Sequence, residues 1–305
     1  MILSVVAPCF NEEEVLKEFY LRLYRTLTSL NISNYEIILV DDGSHDKTWD
    51  TILLLNEIDP KLRGIRLSRN WGHQAALTAG LQEASGEVIF IIDSDLQDPP
   101  ELLGPMLDKM MNGFDVVYGK RRTRLGETAF KKISAFIFYR FLSLIAEVHI
   151  PTDTGDFRLI NQRVLRAYGQ ISERGRFTRG LISWMGFRQT HVDYDRQQRY
   201  AGVSKYPIRK MINFAIDAII GFSTRPLRII TILGTTLSMS ALLFFLLNLN
   251  VLSLIFLIGS LQIFSIGLLG EYVGRSYNES RNRPLFLIQE ITAREENTIE
   301  LASLH

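Results

Sequence analysis

Five short apolar runs in the first 120 residues constrain this chain more than anything else in it. "ILSVVA" (2–7), "YEIILV" (35–40), "GIRLS" (64–68), "EVIFII" (87–92) and "DVVYG" (115–119) are β-branched and mostly apolar. Strands covered on both faces of a parallel sheet read this way, because neither face meets water. Between them, residues 12–29, 46–58, 73–84 and 100–112 have helical spacing, as at Val15, Phe19, Leu23 and Leu27. Such alternation with short connections predicts right-handed crossovers and an α/β fold built on a Rossmann-like, mostly parallel sheet. Ligands bind such sheets beyond the carboxyl ends of the strands.

Polar residues collect at those ends: "PCFNEE", "DDGS", "RNWGHQ" and "DSDLQD" follow the first four strands in turn. The fourth is the most informative. "VIFIIDSDLQDPPE" (88–101) ends an apolar run in Asp93, Asp95, Asp98 and Glu101. Residues i and i+2 of an extended segment project the same way, so Asp93 and Asp95 point together with Ser94 opposed. Two such carboxylates repel each other unless a cation lies between them. Oxygen-only ligands favour Mg²⁺ or Mn²⁺ shared with substrate phosphates, and a plain acidic turn is the alternative. Asp98 and Glu101 read as a capping box around Pro99 and Pro100 at the start of the next helix. Asp41 and Asp42 flank a glycine turn in the same crevice, suited to a ribose or base, with Asn11 and Glu12 at the neighbouring strand end. No G-x-G-x-x-G or P-loop pattern follows the first strand, so neither dinucleotide nor P-loop binding is indicated.

The net charge of +1, with 22% charged residues, gives no basic excess for a nucleic-acid partner. Cys9 stands alone, which excludes an intramolecular disulfide, fits a reducing compartment and reads as a small core residue. "MILSVVAPCFNEEE" lacks the basic segment of a signal peptide, so the N-terminus is expected in the cytoplasm. Hydrophobicity rises after residue 207. Two apolar runs, Leu227 to Leu247 and Val251 to Leu269, each approach the ~20 residues that cross a bilayer. "NLN" (248–250) separates them, giving a helical hairpin with a minimal outer turn. Arg209, Lys210, Arg225 and Arg228 stand before or at the start of the first run, and Arg275, Arg281 and Arg283 after the second. Basic residues on both flanks place both ends of the hairpin in the cytoplasm, the alternative being a buried hairpin in a soluble protein. Residues 129–147 and 207–222 form amphipathic segments for the core or a membrane interface. The tail "AREENTIELASLH" is polar and expected to be poorly ordered.

The ordered set "VVAPCFNEE", "VDDGS", "LSRNWGHQAAL", "DSDLQDPPE", "GDFRL", "RGLISWMG" and "AGVSKY" resembles the inverting family-2 glycosyltransferases of GT-A fold. More narrowly, it is similar to the bacterial polyprenyl-phosphate (bactoprenol) glucosyltransferases, relatives of dolichol-phosphate mannosyltransferase. The resemblance runs through the C-terminal hairpin and "GEYVGRSY…RPLF" after it. It implies a GT-A catalytic domain over 1–206, a juxtamembrane helix over 207–224, a transmembrane hairpin over 225–274 (about 227–247 and 251–270) and a cytoplasmic tail over 275–305. Pro8, Phe10 and Glu12, with Val40 and Asp42, would hold the nucleoside. Asp93 and Asp95 would be the D-x-D pair chelating Mg²⁺ or Mn²⁺ on the donor diphosphate, with Ser94 lining the same site. Asp156 would stand near the anomeric carbon as base or electrostatic partner, with Asp153 a competitor. Arg121, Arg199 and Lys205 would grip phosphates, while Arg122 and Arg124 read as a solvated basic loop, His73 as a loop hydrogen-bonder and Trp71 as a possible neighbour of the nucleotide.

The reaction so implied moves a hexose, glucose from UDP-glucose, onto undecaprenyl phosphate with inversion, at the cytoplasmic face of a bacterial inner membrane. The product would be a lipid-linked sugar for cell-envelope glycans, and the family favours a homo-oligomer. A processive polysaccharide synthase would need Q-x-x-R-W and more membrane helices, where this chain has "QQRY" (197–200) and one hairpin. A non-catalytic sugar-nucleotide-binding scaffold would have lost acids and basic grips that are present here. The "NLN" turn is shorter than the outer segment of such relatives, which bears on outer-face partners rather than on cytoplasmic chemistry.

Overall fold

A computed structural model describes residues 2–122, 154–173, 176–195 and 251–292, with single positions between 230 and 239. In chain order the strands are β1 (Leu3–Cys9), β2 (Tyr35–Asp41), β3 (Leu62–Leu67), β4 (Val88–Ile91), β5 (Val116–Arg121), β6 (Thr154–Asn161), β7 (Gln189–Tyr194) and β8 (Ile288–Ile291). The helices are α1 (Leu16–Ser29), α2 (Thr48–Ile58), α3 (His73–Glu83), α4 (Leu103–Met111), α5 (Gln162–Gly169), α6 (Thr178–Trp184) and α7 (Val251–Ser280). All eight strands form one sheet in the order β7-β5-β6-β4-β1-β2-β3-β8. The expected α/β fold with a mostly parallel, Rossmann-like sheet is therefore present: β4-β1-β2-β3 are parallel, and so are β5 and β7. β6 enters between β4 and β5 antiparallel to both.

Alternate residues of each central strand feed two cores. Leu3, Val5, Ala7, Ile37 and Leu39 meet α1, α2 and α4 on one face. Val6, Ile38 and Val40 meet α3, α5 and α6 on the other. Each fully buried Leu, Ile or Phe contributes about 1.5–3 kcal/mol, so this two-sided burial sets the frame. α3 lies close because Gly80 faces the sheet; a Cβ there would stand 2.5 Å from Val6 Cγ1 and 3.0 Å from Val40 Cγ2.

One expectation needs correction. The capping box is absent: a 3-10 turn starts only at Pro100, Pro99 is extended (φ −75°, ψ 121°), and no side chain caps this turn or α4. A residue before proline is pushed out of the helical region, so Pro99 cannot be helical and Asp98 lies too far upstream to cap. Glu101 instead makes an exposed fork with Arg22, at 2.8 and 3.0 Å, of the kind worth about 0–1 kcal/mol. After α7 the chain adds a strand not anticipated in the sequence. β8 pairs antiparallel with β3, Leu287 O accepts from Ser68 N (2.9 Å), and Phe286 packs on the α3-side core.

The second apolar run forms the first part of α7. The first run lies outside the described residues, as do the segments 129–147 and 207–222 and the end of the tail. Among the described residues no helix is long and apolar enough to cross a membrane; in α7 the side chains of 251–254, 256, 257 and 275 fall outside that set.

Candidate functional site

β4 ends at Ile91, and the next residues alternate as the sequence requires. Ser94 turns inward, 3% exposed, and its hydroxyl donates to Pro8 O (3.0 Å). Asp93 and Asp95 on either side of it are half-buried. Asp95 Oδ1 accepts from Gln97 N (3.1 Å), which tightens a turn where the buried Leu96 takes a φ of 59°. A leucine in the left-handed region costs roughly 1–2 kcal/mol, strain that the surrounding core holds beside the two acids.

Because β6 runs antiparallel to β4, with Ile91 opposite Arg158, the start of β6 lies at the carboxyl end of β4. That places Asp156 beside Asp93. His73, the first residue of α3, stands between them: Nε2 is 3.5 Å from Asp93 Oδ1 and 3.2 Å from Asp156 Oδ2. The preceding loop is clamped by Asp42, whose Oδ1 accepts from Trp71 N (2.7 Å) and Oδ2 from Gly72 N (3.0 Å). Gly72, at φ 97°, turns the chain into the helix.

Asp156 is 4% exposed and its two oxygens meet three side-chain donors. Gln74 Nε2 donates to Oδ2 (2.8 Å), His73 approaches the same oxygen, and Arg179 Nε donates to Oδ1 (3.2 Å). Burial alone would raise its pKa, but Arg179, His73 and Arg158 outweigh burial and hold it well below the usual carboxylate range. Burial alone would lower His73; the charges of Asp93 and Asp156 reverse this and push it up to about 9. Asp93 moves the other way from Asp156. Burial, then Asp98, Asp95 and Asp156, outweigh His73 and raise it to about 6.

Asp93, Asp95, Asp98 and Asp156 meet His73, Arg121, Arg158 and Arg179 here, yet burial and its three acidic neighbours leave Asp93 raised, which a divalent ion would relieve. Asp93 and Asp95, two half-buried oxygen ligands on one side of a strand end, fit Mg²⁺ or Mn²⁺ completed by a diphosphate. Among the described residues no cluster of three or more candidate ligands forms a cage of its own.

Other expected site residues are distributed as follows. Asp98, fully buried, accepts from the Tyr194 hydroxyl and lies 3.8 Å from Arg121 Nη2; Arg121 Nε donates to the same hydroxyl (3.2 Å). Arg121 is therefore tied to the β5 and β7 ends while remaining within the field of Asp93. Val40 is fully buried and serves the site through packing under α3. Asp41, also fully buried, accepts from Ser44 N (3.0 Å) and lies 3.6 Å from Arg66 Nε, so it holds its own turn. Pro8 is the next-to-last residue of β1, Phe10 stands edge-on to His45, and Glu12 N donates to Thr48 Oγ1 (2.8 Å), joining the loop after β1 to the start of α2. Asp153, Arg124, Arg199 and Lys205 lie outside the described residues. Sequence reading missed Gln74, Arg158 and Arg179 as site residues and took His73 for a loop hydrogen-bonder. Gln74 and Arg179 lie within the quoted motifs "LSRNWGHQAAL" and "RGLISWMG", which was the available signal.

The family described as Glycosyl transferase family 2 matches residues 4–169. The chain belongs to that family. It is a glycosyltransferase, and its relatives cover nearly its whole length. The glycosyltransferase YkcC of Bacillus subtilis is 41% identical over 94% of this chain and 93% of its own. The bactoprenol glucosyl transferase of Shigella phage SfV is 36% identical over 95% of this chain and 98% of its own. Among solved structures, Staphylococcus aureus TarS 1-349 in complex with UDP-GlcNAc is a distant likeness: 18% identity, 73% of this chain and 68% of that one, with a TM-score of 0.45.

Proposed function

We propose that this glycosyltransferase moves glucose from UDP-glucose to a polyprenyl phosphate at the cytoplasmic face of a bacterial inner membrane, with inversion. The observation that carries this reading is the convergence of Asp93, Asp95, His73 and Asp156 at the carboxyl ends of the strands. The relatives that are bactoprenol glucosyl transferases support the donor sugar and the lipid acceptor.

In-line transfer joins an acceptor phosphate oxygen to C1 of the sugar as the bond from C1 to the nucleoside diphosphate breaks. Asp93 and Asp95 would hold the divalent ion, which would supply charge neutralisation to the departing diphosphate. Asp156 is held as a carboxylate by three donors, so it is a weak base and acts as an electrostatic partner instead. No strong base is required, because the acceptor phosphate is already an anion. His73, its pKa pushed up to about 9, lies between the two acids and offsets their mutual repulsion.

α7 supports membrane attachment. Val251–Leu269 carries no charge, and Ile255, Ile263, Phe264, Ile266 and Leu269 are each more than half exposed. A helix apolar on several sides needs an apolar solvent or a partner helix.

The test is incubation of membranes with labelled UDP- and GDP-sugars and undecaprenyl phosphate, with and without chelator. Chelator-sensitive transfer from UDP-glucose is expected, lost in Asp95→Asn. Metal-independent transfer, or full activity in that variant, overturns the metal assignment; preference for another nucleotide sugar overturns the donor.

A further inference from the structure

We propose that Gln74 is a positioning residue that fixes Asp156 and the N-terminus of α6 as one unit, an inference that rests on the transferase reading of the site. Its amide, on α3, bridges β6 and the start of α6. Nε2 donates to Asp156 Oδ2 (2.8 Å) on β6, and Oε1 accepts from Thr178 N (3.0 Å) at the start of α6. The orientation is forced by the partners. A flipped amide would set its oxygen against a carboxylate and its NH₂ against an N–H.

The link closes a ring. Thr178 N is one of the N–H groups that a helix start leaves without an intrahelical acceptor, and Phe177 before it offers no side-chain cap. One residue later, Arg179 Nε donates to Asp156 Oδ1 (3.2 Å) and its Nη1 to Thr154 O (2.9 Å). Gln74 therefore holds one oxygen of Asp156 and the helix whose arginine holds the other. Behind this ring the Tyr168 hydroxyl contacts both Thr78 Oγ1 and Thr178 Oγ1, each at 3.1 Å, tying α5 to α3 and α6. His73 and Arg179 supply charge to Asp156. Gln74 adds direction without charge, so its loss leaves a carboxylate still ionised and still met by His73 and Arg179 but no longer aligned by a neutral donor.

Two variants separate the arms. Gln74→Glu keeps an oxygen for Thr178 N and loses the donor to Asp156; Gln74→Met keeps the length and loses both. With purified full-length protein in nanodiscs, UDP-glucose and undecaprenyl phosphate, kcat falls about 10²-fold in both, the cost of misplacing a group at the reacting centre. KM for UDP-glucose stays within roughly threefold, because uniform binding is untouched. Amide exchange over 178–184 rises in Gln74→Met and stays at the wild-type level in Gln74→Glu. Should Gln74→Glu fold poorly through repulsion, Gln74→Glu combined with Asp156→Asn restores the donor–acceptor pair and the fold without restoring activity.

Wild-type kcat in Gln74→Glu, or a loss confined to KM, overturns the proposal. If the wild type transfers no sugar, the transferase reading falls, and exchange alone decides on Gln74. Faster exchange at 178–184 in Gln74→Met then supports the link, and unchanged exchange overturns it.

Discussion

Asp93 stands 3.5 Å from an imidazole and close enough to Asp95, Asp98 and Asp156 to feel all three. Its pKa is raised from 3.8 to about 6, so between those values the folded chain binds a proton that the unfolded chain has released. Folding stability therefore falls as pH rises through that window, and the penalty is complete above it. Asp93→Asn removes this titration. Expressed as the difference from wild type, the variant's stability in chelator should climb between about pH 4 and 6, as followed by thermal melting, while sugar transfer is lost. A flat difference refutes the assignment. His73 has a linkage of the same sign in a higher pH window. Its folded pKa, about 9, exceeds the ordinary 6.5, so its contribution is whole below 6.5 and is lost as pH rises through 9. Imidazole carbon resonances of metal-free protein should show one histidine titrating near 9, absent in His73→Gln. The Asp93–Asp95 pair was legible in sequence because i, i+2 projection is local. The His73–Asp156 contact was not, since it depends on a strand of reversed direction arriving 82 residues after the neighbouring Gln74.

At the scale of elements, β8 links the tail to the site. Leu287 O accepts from Ser68 N, and Thr292 and Gly64 exchange bonds at 2.9 and 3.0 Å, so the tail strand fastens the β3 edge just before the loop that Asp42 clamps. That loop leads directly into His73 and Gln74. Deleting residues 286–305 strips Phe286 from the α3-side core and frees the edge. The deletion should cost about 1–3 kcal/mol, by analogy with loss of packed core contacts, and lower the melting temperature. Amide exchange over 68–72 should rise with it, and unchanged protection there would show that the loop stands without the tail. The first five strands could be read from composition because they are apolar and mostly buried, whereas β6, equally buried, carries Asp156 and Arg158 and was not read. β8 could not: four residues, all exposed, carry no period that distinguishes them from a polar tail. The capping box failed for a related reason. The pattern D-P-P-E fits a helix start residue by residue, yet consecutive prolines move the helix start to the second of them.

Across the whole molecule, β8 also fixes a direction. It begins at Ile288, and α7 ends at Ser280, so the segment between can span at most about 29 Å of extended chain. A bilayer with its headgroups is about 40–45 Å thick, too far for that segment to cross. If α7 is anchored in a membrane, its C-terminal end and the catalytic sheet therefore lie on the same side, and the basic residues Arg281 and Arg283 agree with a cytoplasmic face. Cysteine labelling tests this with little background, because Cys9 is the chain's single cysteine and is buried. Ser280→Cys, exposed at the end of α7, should react with a membrane-impermeant maleimide in inside-out vesicles and stay unlabelled in intact cells. Asn248→Cys, in the "NLN" segment between the two apolar runs, should give the reverse pattern. Labelling of Ser280→Cys from outside the cell would separate α7 from the sheet that β8 completes, and the membrane arrangement proposed here would fall.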